Sequence, residues 1–258
     1  MNNKDNLKPL AIDLFCGLGG WTDGLLAEGW DVIGFDIERH DYGIGGYPAQ
    51  LVLQDILTLH GKQFRNVDLI VASPPCQEFS YMAMPWSKAK AKERDLLEGR
   101  DDPKRLTALF DACFRIQREA CEAAGHHIPM VVENVRGAQK WVGRSRWNYG
   151  SFHLWGDVPA LMPMEGHRKA SGFNLNAGPN KWNPHLREFS ESIGVPLGIK
   201  QPGISGSRNN GKGDAWFQNG AARSGSKSSA RKAASAQIAK IPLPLSRYIA
   251  AHFYPLSS

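Results

Sequence analysis

The chain contains the run Leu10-Ala11-Ile12-Asp13-Leu14-Phe15-Cys16-Gly17-Leu18-Gly19-Gly20-Trp21, in which apolar residues lead into a glycine-rich turn. The apolar residues predict a buried strand. The glycines allow the backbone to bend tightly and to approach a ligand closely. A segment with helical character follows, from Thr22 to Glu28. Strand, glycine turn and helix in this order are typical of open α/β folds, in which the amino end of the helix points its amides at a bound ligand.

Four runs rich in apolar and β-branched residues predict strands, namely 10–16, 31–35, 67–72 and 129–133. Residues 103–124 predict a long helix, because Pro103 suits a first turn and Gly125 suits a helix end. Strands that alternate with helices predict an α/β protein with a doubly wound, mainly parallel sheet.

The third of these strands is followed by Ser73-Pro74-Pro75-Cys76-Gln77. Two prolines stop sheet pairing and stiffen the backbone, so Cys76 is expected at the rim of the sheet. Ligands and chemistry gather beyond the carboxyl ends of strands in open α/β folds. The position therefore suits a nucleophile on a rigid loop. Read alone, Pro-Pro-Cys leaves a purely structural cysteine as the alternative.

Two other predicted strands end in carboxylates. Asp36 follows the second strand, where an acidic residue can bind ribose hydroxyls, although plain strand–helix turns also carry such residues. Glu133 ends the fourth strand, and a solvated strand end is its alternative reading. Taken with Cys76, Glu133 completes a nucleophile and a potential acid on neighbouring strand tips.

These motifs together resemble the C5-cytosine-specific DNA methyltransferases, which use S-adenosylmethionine. The run from Asp13 to Gly20 is similar to the family's cofactor turn, Pro74-Pro75-Cys76-Gln77 to its nucleophile loop, and Glu133-Asn134-Val135 to its Glu-Asn-Val signature. Gln54-Asp55-Ile56 resembles the segment that meets the adenine, and Ile238 to Ala250 resembles the last motif, a helix that closes onto the first. The short chain favours a compact, divergent member of the phage or prophage type.

The resemblance implies a Rossmann-like methyltransferase core with a small irregular target-recognition lobe. It implies that Cys76 attacks C6 of a flipped-out cytosine, that Glu133 binds or protonates N3, and that Asn134 fixes the Pro-Pro-Cys loop. The residues that it implies for cofactor binding are Phe15, Gly17, Gly19, Asp36, Ile37, Asp55, Ile56 and Pro75. The candidates for DNA contact are Gln77, Ser80 and Arg144, the lysines Lys88 and Lys90 of the basic loop after the nucleophile, and the basic residues Arg208, Arg223 and Lys227 of the Gly/Ser-rich region.

Two family motifs are altered in this chain. The Gln-x-Arg-x-Arg motif, whose arginine contacts the flipped cytosine, is absent after Tyr149-Gly150. Arg146 is the catalytic candidate to replace it and Arg144 the other choice, while phosphate contact is the alternative role for either. Ala239-Lys240-Ile241 stands where the family has an asparagine that contacts the cofactor. These changes fit either a divergent active enzyme or a weakly active one.

The composition limits the classes of protein and of binding partner that are compatible with the sequence. The 258 residues are enough for one α/β core with a small appended lobe. The formal charge of +6 and the pI of about 9.2 favour a polyanionic partner. No apolar run approaches the ~20 residues of a membrane span, and the first residues lack the apolar core of a signal peptide. The four cysteines and eight histidines show no metal-ligand spacing, so we expect no metal and a reducing cytoplasm.

Three regions are predicted. Residues 1–156 form the S-adenosylmethionine-binding catalytic core, 157–235 a short basic target-recognition region, and 236–258 a helix that returns to the core. Between Gly203 and Ser235 the chain has six glycines and seven serines, with six basic residues against one acid. Such a segment is expected to order only on a polyanion, and a linker without function is the alternative.

Three functional hypotheses follow. The first is a DNA (cytosine-5-)-methyltransferase that acts on double-stranded DNA, as a cytoplasmic monomer without membrane attachment and with a cognate restriction endonuclease as its system partner. The second is an RNA enzyme of the same fold, of the transfer-RNA cytosine methyltransferase type. The third is a catalytically silent DNA-binding protein, which has no chemical reason to retain both Cys76 and Glu133.

Overall fold

A computed structural model describes residues 8–40, 46–76, 79, 91, 94–95, 98, 102–162, 236 and 239–255. Its strands are β1 (Leu10–Leu14), β2 (Asp31–Asp36), β3 (Gln50–Leu53), β4 (Leu69–Ala72), β5 (Met130–Val135), β6 (Trp147–Tyr149) and β7 (Phe152–Gly156). The helices with described ends are α1 (Gly20–Ala27), α2 (Pro103–Ala124), the short α3 (Gln139–Val142) and α4 (Leu243–Phe253). Three single 3-10 turns cover Ile56–Thr58, Gly61–Phe64 and Arg136–Ala138.

The seven strands form one sheet in the order β3-β2-β1-β4-β5-β7-β6. The first five are parallel to their neighbours, whereas β7 runs antiparallel to both β5 and β6. The chain extends the sheet one way from β1 through β2 to β3, and then the other way from β4. The predicted doubly wound, mainly parallel α/β fold is confirmed. Its topological switch lies between β1 and β4, where such folds bind ligands.

The four predicted strands are present with ends that differ by one or two residues, and the long helix has its predicted ends. The first strand stops at Leu14 and not at residue 16, because Phe15 has a φ of 57° and turns the chain out of the ladder. Three strands were not predicted: β3, β6 and β7. They are short, and two of them form a hairpin, so no long apolar run marks them.

Each face of the sheet is buried under helices. On one face, Ile12, Ile70 and Val132 belong to a core that includes Phe110 and Ile116 of α2. Residues one position away, such as Ala11, Val71 and Val131, belong to the other core, which includes Trp21 of α1 and Ile249 of α4. Burial on both faces explains why these parallel strands read as continuous apolar runs.

Two glycines let α1 pack closely against the segment that carries α4. A β-carbon at Gly20 would lie 2.4 Å from the Ile241 backbone nitrogen, and one at Gly24 would lie 2.3 Å from Ser246 Oγ. The Trp30 indole donates a hydrogen bond to the Ala250 carbonyl at 3.1 Å, which ties the end of α4 to the start of β2. The helix α4 thereby shares a core with the glycine turn that precedes α1.

The chain divides into two compact units. One consists of Met1–Asp41, Gly45–Met164 and Ile241–Ser258, and the other of Tyr42–Ile44 and Glu165–Lys240. All but three of the described residues fall in the first unit, and the irregular lobe predicted for 157–235 lies outside them from residue 163 onward. The predicted boundaries at 156 and 235 stay a prediction.

Within the described ranges, no helix is both long and apolar enough to cross a membrane. The same residues contain no group of three side chains suited to hold a metal ion.

Replacing Gly24 with valine is expected to lower the free energy of unfolding by about 1–3 kcal/mol, because the new side chain has to displace the backbone of α4. Urea unfolding followed by circular dichroism measures the change. Gly46→Val is the matched control, since a β-carbon there meets nothing within 4 Å. Its effect should stay within about 0.5 kcal/mol. Equal stability of the two variants would contradict the tight α1–α4 contact.

Candidate active site

The loop that carries Cys76 is tied to the two strands that flank β4. The Ser73 amide donates to the Leu14 carbonyl of β1 at 3.1 Å. The Asn134 side-chain amide of β5 donates to the Pro74 carbonyl at 2.9 Å, and its own oxygen accepts from the Val135 amide at 2.8 Å. Because Pro74 has no N–H of its own to donate, these bonds substitute for the missing ladder. They hold the start of the loop on both sides.

Glu133 lies on β5 beside this loop. The register pairs Ala72 with Val132, so the next residues of the two strands, Ser73 and Glu133, are neighbours. Glu133 is only 8% exposed. Burial raises the pKa of its carboxyl to about 8, although a hydrogen bond with the Ser73 side chain acts in the opposite direction. At neutral pH the carboxyl is therefore mostly protonated and can donate a hydrogen bond.

The Cys76 thiol is half-buried. Burial raises its pKa, and the charge of the nearby Glu133 raises it further. The Cys76 carbonyl accepts from the Phe79 amide at 3.0 Å, and the Phe79 side chain is buried in the core. The structure thus brings together the two residues predicted to do the chemistry, and their protonation states depend on each other.

The glycine turn and the end of β2 form the next part of the same edge. Gly17 and Gly19 have φ angles of 50° and 73°, a conformation that suits glycine. The Gly17 amide donates to Asp36 Oδ2 at 2.9 Å. Burial alone would raise the pKa of Asp36, but hydrogen bonds from His40 and Gly17 hold it below its ordinary value. Asp36 is therefore ionised at neutral pH.

Apolar side chains are exposed beside Asp36. Ile37 is 71% exposed and Leu53 is 53% exposed. Leu53 ends β3 directly opposite Asp36 in the β2–β3 register, so both apolar groups lie at the same corner. Sequence reasoning missed Leu53, whose only signal was an apolar residue at the end of a very short run.

The predicted adenine segment has a different arrangement. The Asp55 side chain accepts from the Leu57 amide at 2.9 Å and caps the 3-10 turn that follows. The Ile56 side chain is 2% exposed and packs in the core, and the contact of this segment with a cofactor stays a prediction.

A polar cluster that the sequence did not indicate lies beneath the glycine turn. The Thr22 hydroxyl donates to Asp13 Oδ2 at 2.7 Å and also contacts the Tyr47 hydroxyl. Burial raises the pKa of Asp13 to about 7. Its Oδ1 atom has no hydrogen-bond partner in the described part of the chain. The cluster connects β1, α1 and the segment before β3.

The candidate arginines lie farther along the sheet. Arg144 and Arg146 are exposed and precede β6. The Arg146 amide donates to the Leu154 carbonyl at 2.8 Å, and Leu154 is opposite Glu133 in the β5–β7 register. Neither arginine is among the groups that shift the pKa of Glu133, which is raised mainly by burial.

The remaining DNA-contact candidates lie outside the described residues. They are Gln77, Ser80, Lys88, Lys90, Arg208, Arg223 and Lys227.

A family profile described as C-5 cytosine-specific DNA methylase matches residues 10–139. The match covers β1 to β5, and with them the glycine turn, the Cys76 loop and Glu133. The protein belongs to the C-5 cytosine-specific DNA methylase family, whose members are S-adenosylmethionine-dependent methyltransferases. No curated protein matches the chain in sequence.

Several solved structures are similar to parts of the chain. A protein described as a DNA modification methyltransferase encoded within an E. coli prophage is 23% identical, with a TM-score of 0.33 over 51% of this chain and 33% of that one. The methyltransferase EhMeth of Entamoeba histolytica is 18% identical, with a TM-score of 0.37 over 54% and 41%. The Dnmt2 methyltransferase of S. pombe is 18% identical, with a TM-score of 0.35 over 53% and 37%. The chain therefore spans well under half the length of these structures.

Replacing Glu133 with glutamine is expected to speed alkylation of Cys76 by iodoacetamide about 3- to 10-fold at about pH 9. Above its pKa of about 8, Glu133 is charged and opposes formation of the thiolate, and glutamine removes that charge. Mass spectrometry of the Cys76 peptide measures the rate. At about pH 6.5 the two proteins should react alike, because Glu133 is then neutral. Glu122→Gln, on the exposed face of α2, is the matched control. Equal rates at the higher pH would show that the two side chains do not interact.

Proposed function

We propose that this protein is a DNA (cytosine-5-)-methyltransferase that modifies C5 of a flipped-out cytosine through a covalent bond between Cys76 Sγ and C6. The observation that carries the proposal is the pairing of a half-buried thiol with a buried, protonated carboxyl at the carboxyl edge of β4 and β5. Cys76 follows β4, which borders the topological switch of the sheet, and Glu133 lies on the next strand, β5. A thiol and a neutral carboxyl are what addition to a pyrimidine ring requires.

The neighbouring edge suits S-adenosylmethionine, which supplies an electrophilic methyl group when it is bound. Phe15, Gly17 and Gly19 would form the wall of its site, where a backbone with positive φ leaves room for close approach. The ionised Asp36 would accept hydrogen bonds from the ribose hydroxyls. The exposed Ile37 and Leu53 side chains would cover the adenine ring.

In the first chemical step, the Cys76 sulfur bonds to C6 and the electron pair of the C5–C6 double bond moves towards C5. Charge that spreads to N3 is neutralised by the proton of Glu133. Because its pKa is raised, Cys76 starts as a thiol and gives its proton to solvent water as the bond forms. A protonated Glu133 serves both needs, because it offers a proton to the ring and places no negative charge beside the forming thiolate.

After C5 carries its methyl group, a water molecule accepts the C5 proton, the electron pair of the C5–H bond moves between C5 and C6, and the Cys76 sulfur departs with the electron pair of its bond to C6. The C5–C6 double bond is thereby restored, and Glu133 recovers its proton from N3. Asn134 would act on the loop and not on the ring, since its amide is bonded to the Pro74 carbonyl. C6 is inaccessible in stacked DNA, so the cytosine has to be flipped out.

Duplex DNA as the substrate is supported by the formal charge of +6. We propose that Arg144 and Arg146, exposed ahead of β6, contact the flipped cytosine or its phosphates. We further propose that the protein is a monomer that acts in the cytoplasm, together with a cognate restriction endonuclease.

A trapping experiment tests the reaction. DNA that contains 5-fluorocytosine is incubated with the protein and S-adenosylmethionine, and denaturing electrophoresis detects a covalent complex, because fluorine cannot leave C5 as a proton does. We expect an adduct with wild type and with Cys121→Ser, and none with Cys76→Ala. Glu133→Gln should form it about 100-fold more slowly or worse.

The alternatives give different outcomes in the same experiment. An adduct on fluorocytosine-containing RNA but not on DNA would replace the DNA substrate with RNA. No adduct on either, with DNA binding intact, would favour a silent DNA-binding protein.

Replacing Asp36 with alanine is expected to weaken binding of S-adenosylmethionine about 10- to 100-fold, because hydrogen bonds to a charged carboxylate are lost. Isothermal titration calorimetry measures the change. Asp31→Ala is the matched control, since Asp31 is exposed at the opposite end of β2. The melting temperature of both variants is checked, because Asp36 also holds the Gly17 amide. Unchanged affinity would remove Asp36 from the proposed cofactor site.

A further inference from the structure

A buried tryptophan contacts the loop of the proposed nucleophile from behind. Trp21, the second residue of α1, is 2% exposed. Its indole Nε1 donates a hydrogen bond to Ser73 Oγ at 3.0 Å. An indole nitrogen can only donate, so the Ser73 oxygen has to accept. This bond therefore fixes the direction in which the Ser73 hydroxyl can present its own proton.

The backbone at Ser73 is held on both sides of the residue. Its backbone amide is bonded to the Leu14 carbonyl at 3.1 Å, and Pro74 follows it directly. The β4–β5 register places Glu133 beside it on the neighbouring strand. Paired residues of neighbouring strands face the same side of the sheet, so the Ser73 hydroxyl and the Glu133 carboxyl are adjacent, and this hydroxyl acts to lower the pKa of Glu133. The result is a chain of three groups, from the Trp21 indole through the Ser73 hydroxyl to Glu133.

We propose that Trp21 and Ser73 orient the Glu133 carboxyl for its contact with the cytosine ring, which makes Ser73 a positioning residue of the reaction. The inference rests on the proposed function, since it concerns how Glu133 meets the substrate. Glu133 becomes charged when it gives its proton to N3, and it does so in a buried setting. A hydroxyl proton aimed at the carboxylate stabilises that charge.

The pKa of Glu133 agrees with this role. Burial raises the pKa to about 8, and the Ser73 hydrogen bond opposes the increase. Without Ser73 the carboxyl would hold its proton more tightly. It would then be a weaker acid towards N3 in the addition step.

The experiment compares Ser73→Ala with wild type in methyl transfer to duplex DNA, as a function of pH. We expect kcat to fall about 10-fold, with the KM for DNA and for S-adenosylmethionine changed less than about 2-fold. The basic limb of the pH profile should move to higher pH, because protonated Glu133 is the active form and its pKa rises. Ser73→Thr keeps the hydroxyl and should restore both properties. Ser151→Ala, on an exposed turn between β6 and β7, is the matched control.

Trp21→Phe supplies a second variant that leaves Ser73 in place. It removes the N–H that fixes the hydroxyl, so it should shift the pH profile in the same direction by a smaller amount. Unchanged kcat and an unchanged pH limb in Ser73→Ala would overturn the proposal. A loss of kcat without any shift of the basic limb of the pH profile would also overturn it. That result would reflect a structural disturbance of the loop and not a change in the acidity of Glu133.

A measurement on the protein alone separates this inference from the proposed function. The side-chain carboxyl of Glu133 is followed by carbon-13 NMR through a pH titration and is assigned with Glu133→Gln. Ser73→Ala should raise the pKa of Glu133 even if wild type methylates no nucleic acid. In that case the proposed function fails and the hydrogen-bonded chain stands. An unchanged pKa of Glu133 in an active Ser73→Ala enzyme would reject the Trp21–Ser73–Glu133 arrangement, while the proposed function would stand.

Discussion

The hydrogen bond from the Asn134 side chain to the Pro74 carbonyl is the contact on which the proposed site depends. Pro74, two residues after the end of β4, lacks a backbone donor, so the loop cannot extend the ladder towards β5. Asn134 restores the connection from the β5 side, and the Ser73 amide restores it from the β1 side. Cys76 is consequently presented beside Glu133 by a short, doubly anchored loop. The Glu133-Asn134 pair thus has a physical reason in this chain, since one residue lies beside Cys76 and the next supports the loop.

Burial and hydrogen bonding divide the acidic side chains of this edge into different protonation states. Asp36 accepts several hydrogen bonds and stays ionised, which suits the binding of hydroxyl groups. Glu133 is buried with fewer donors, and its pKa of about 8 keeps it mostly neutral at pH 7, which suits proton donation. Asp13 is buried under the glycine turn with a pKa of about 7. Similar side chains in one sheet can therefore serve binding, chemistry and support, as their surroundings dictate.

Much of the sheet could be predicted because its signals are local. The runs before Phe15, Asp36 and Cys76 are apolar for several residues, and glycine or proline ends two of them. The strands β3, β6 and β7 could not be predicted, because three to five residues without a long apolar run have no distinctive period. Because β3 was not predicted, Leu53 was not recognised as a neighbour of Asp36. The two residues are adjacent only through the β2–β3 register.

Local sequence determined which chemical groups stand at the strand ends, because strand runs and the residues that break them act over a few positions. Cys76, Asp36 and Glu133 were all identifiable in this way. Tertiary structure decided how those groups behave. The bond between Trp21 and Ser73, the burial of Glu133 and the burial of Asp13 all depend on neighbours brought together by the sheet. A pKa or a hydrogen bond is set by distance in space, which no run of adjacent residues specifies.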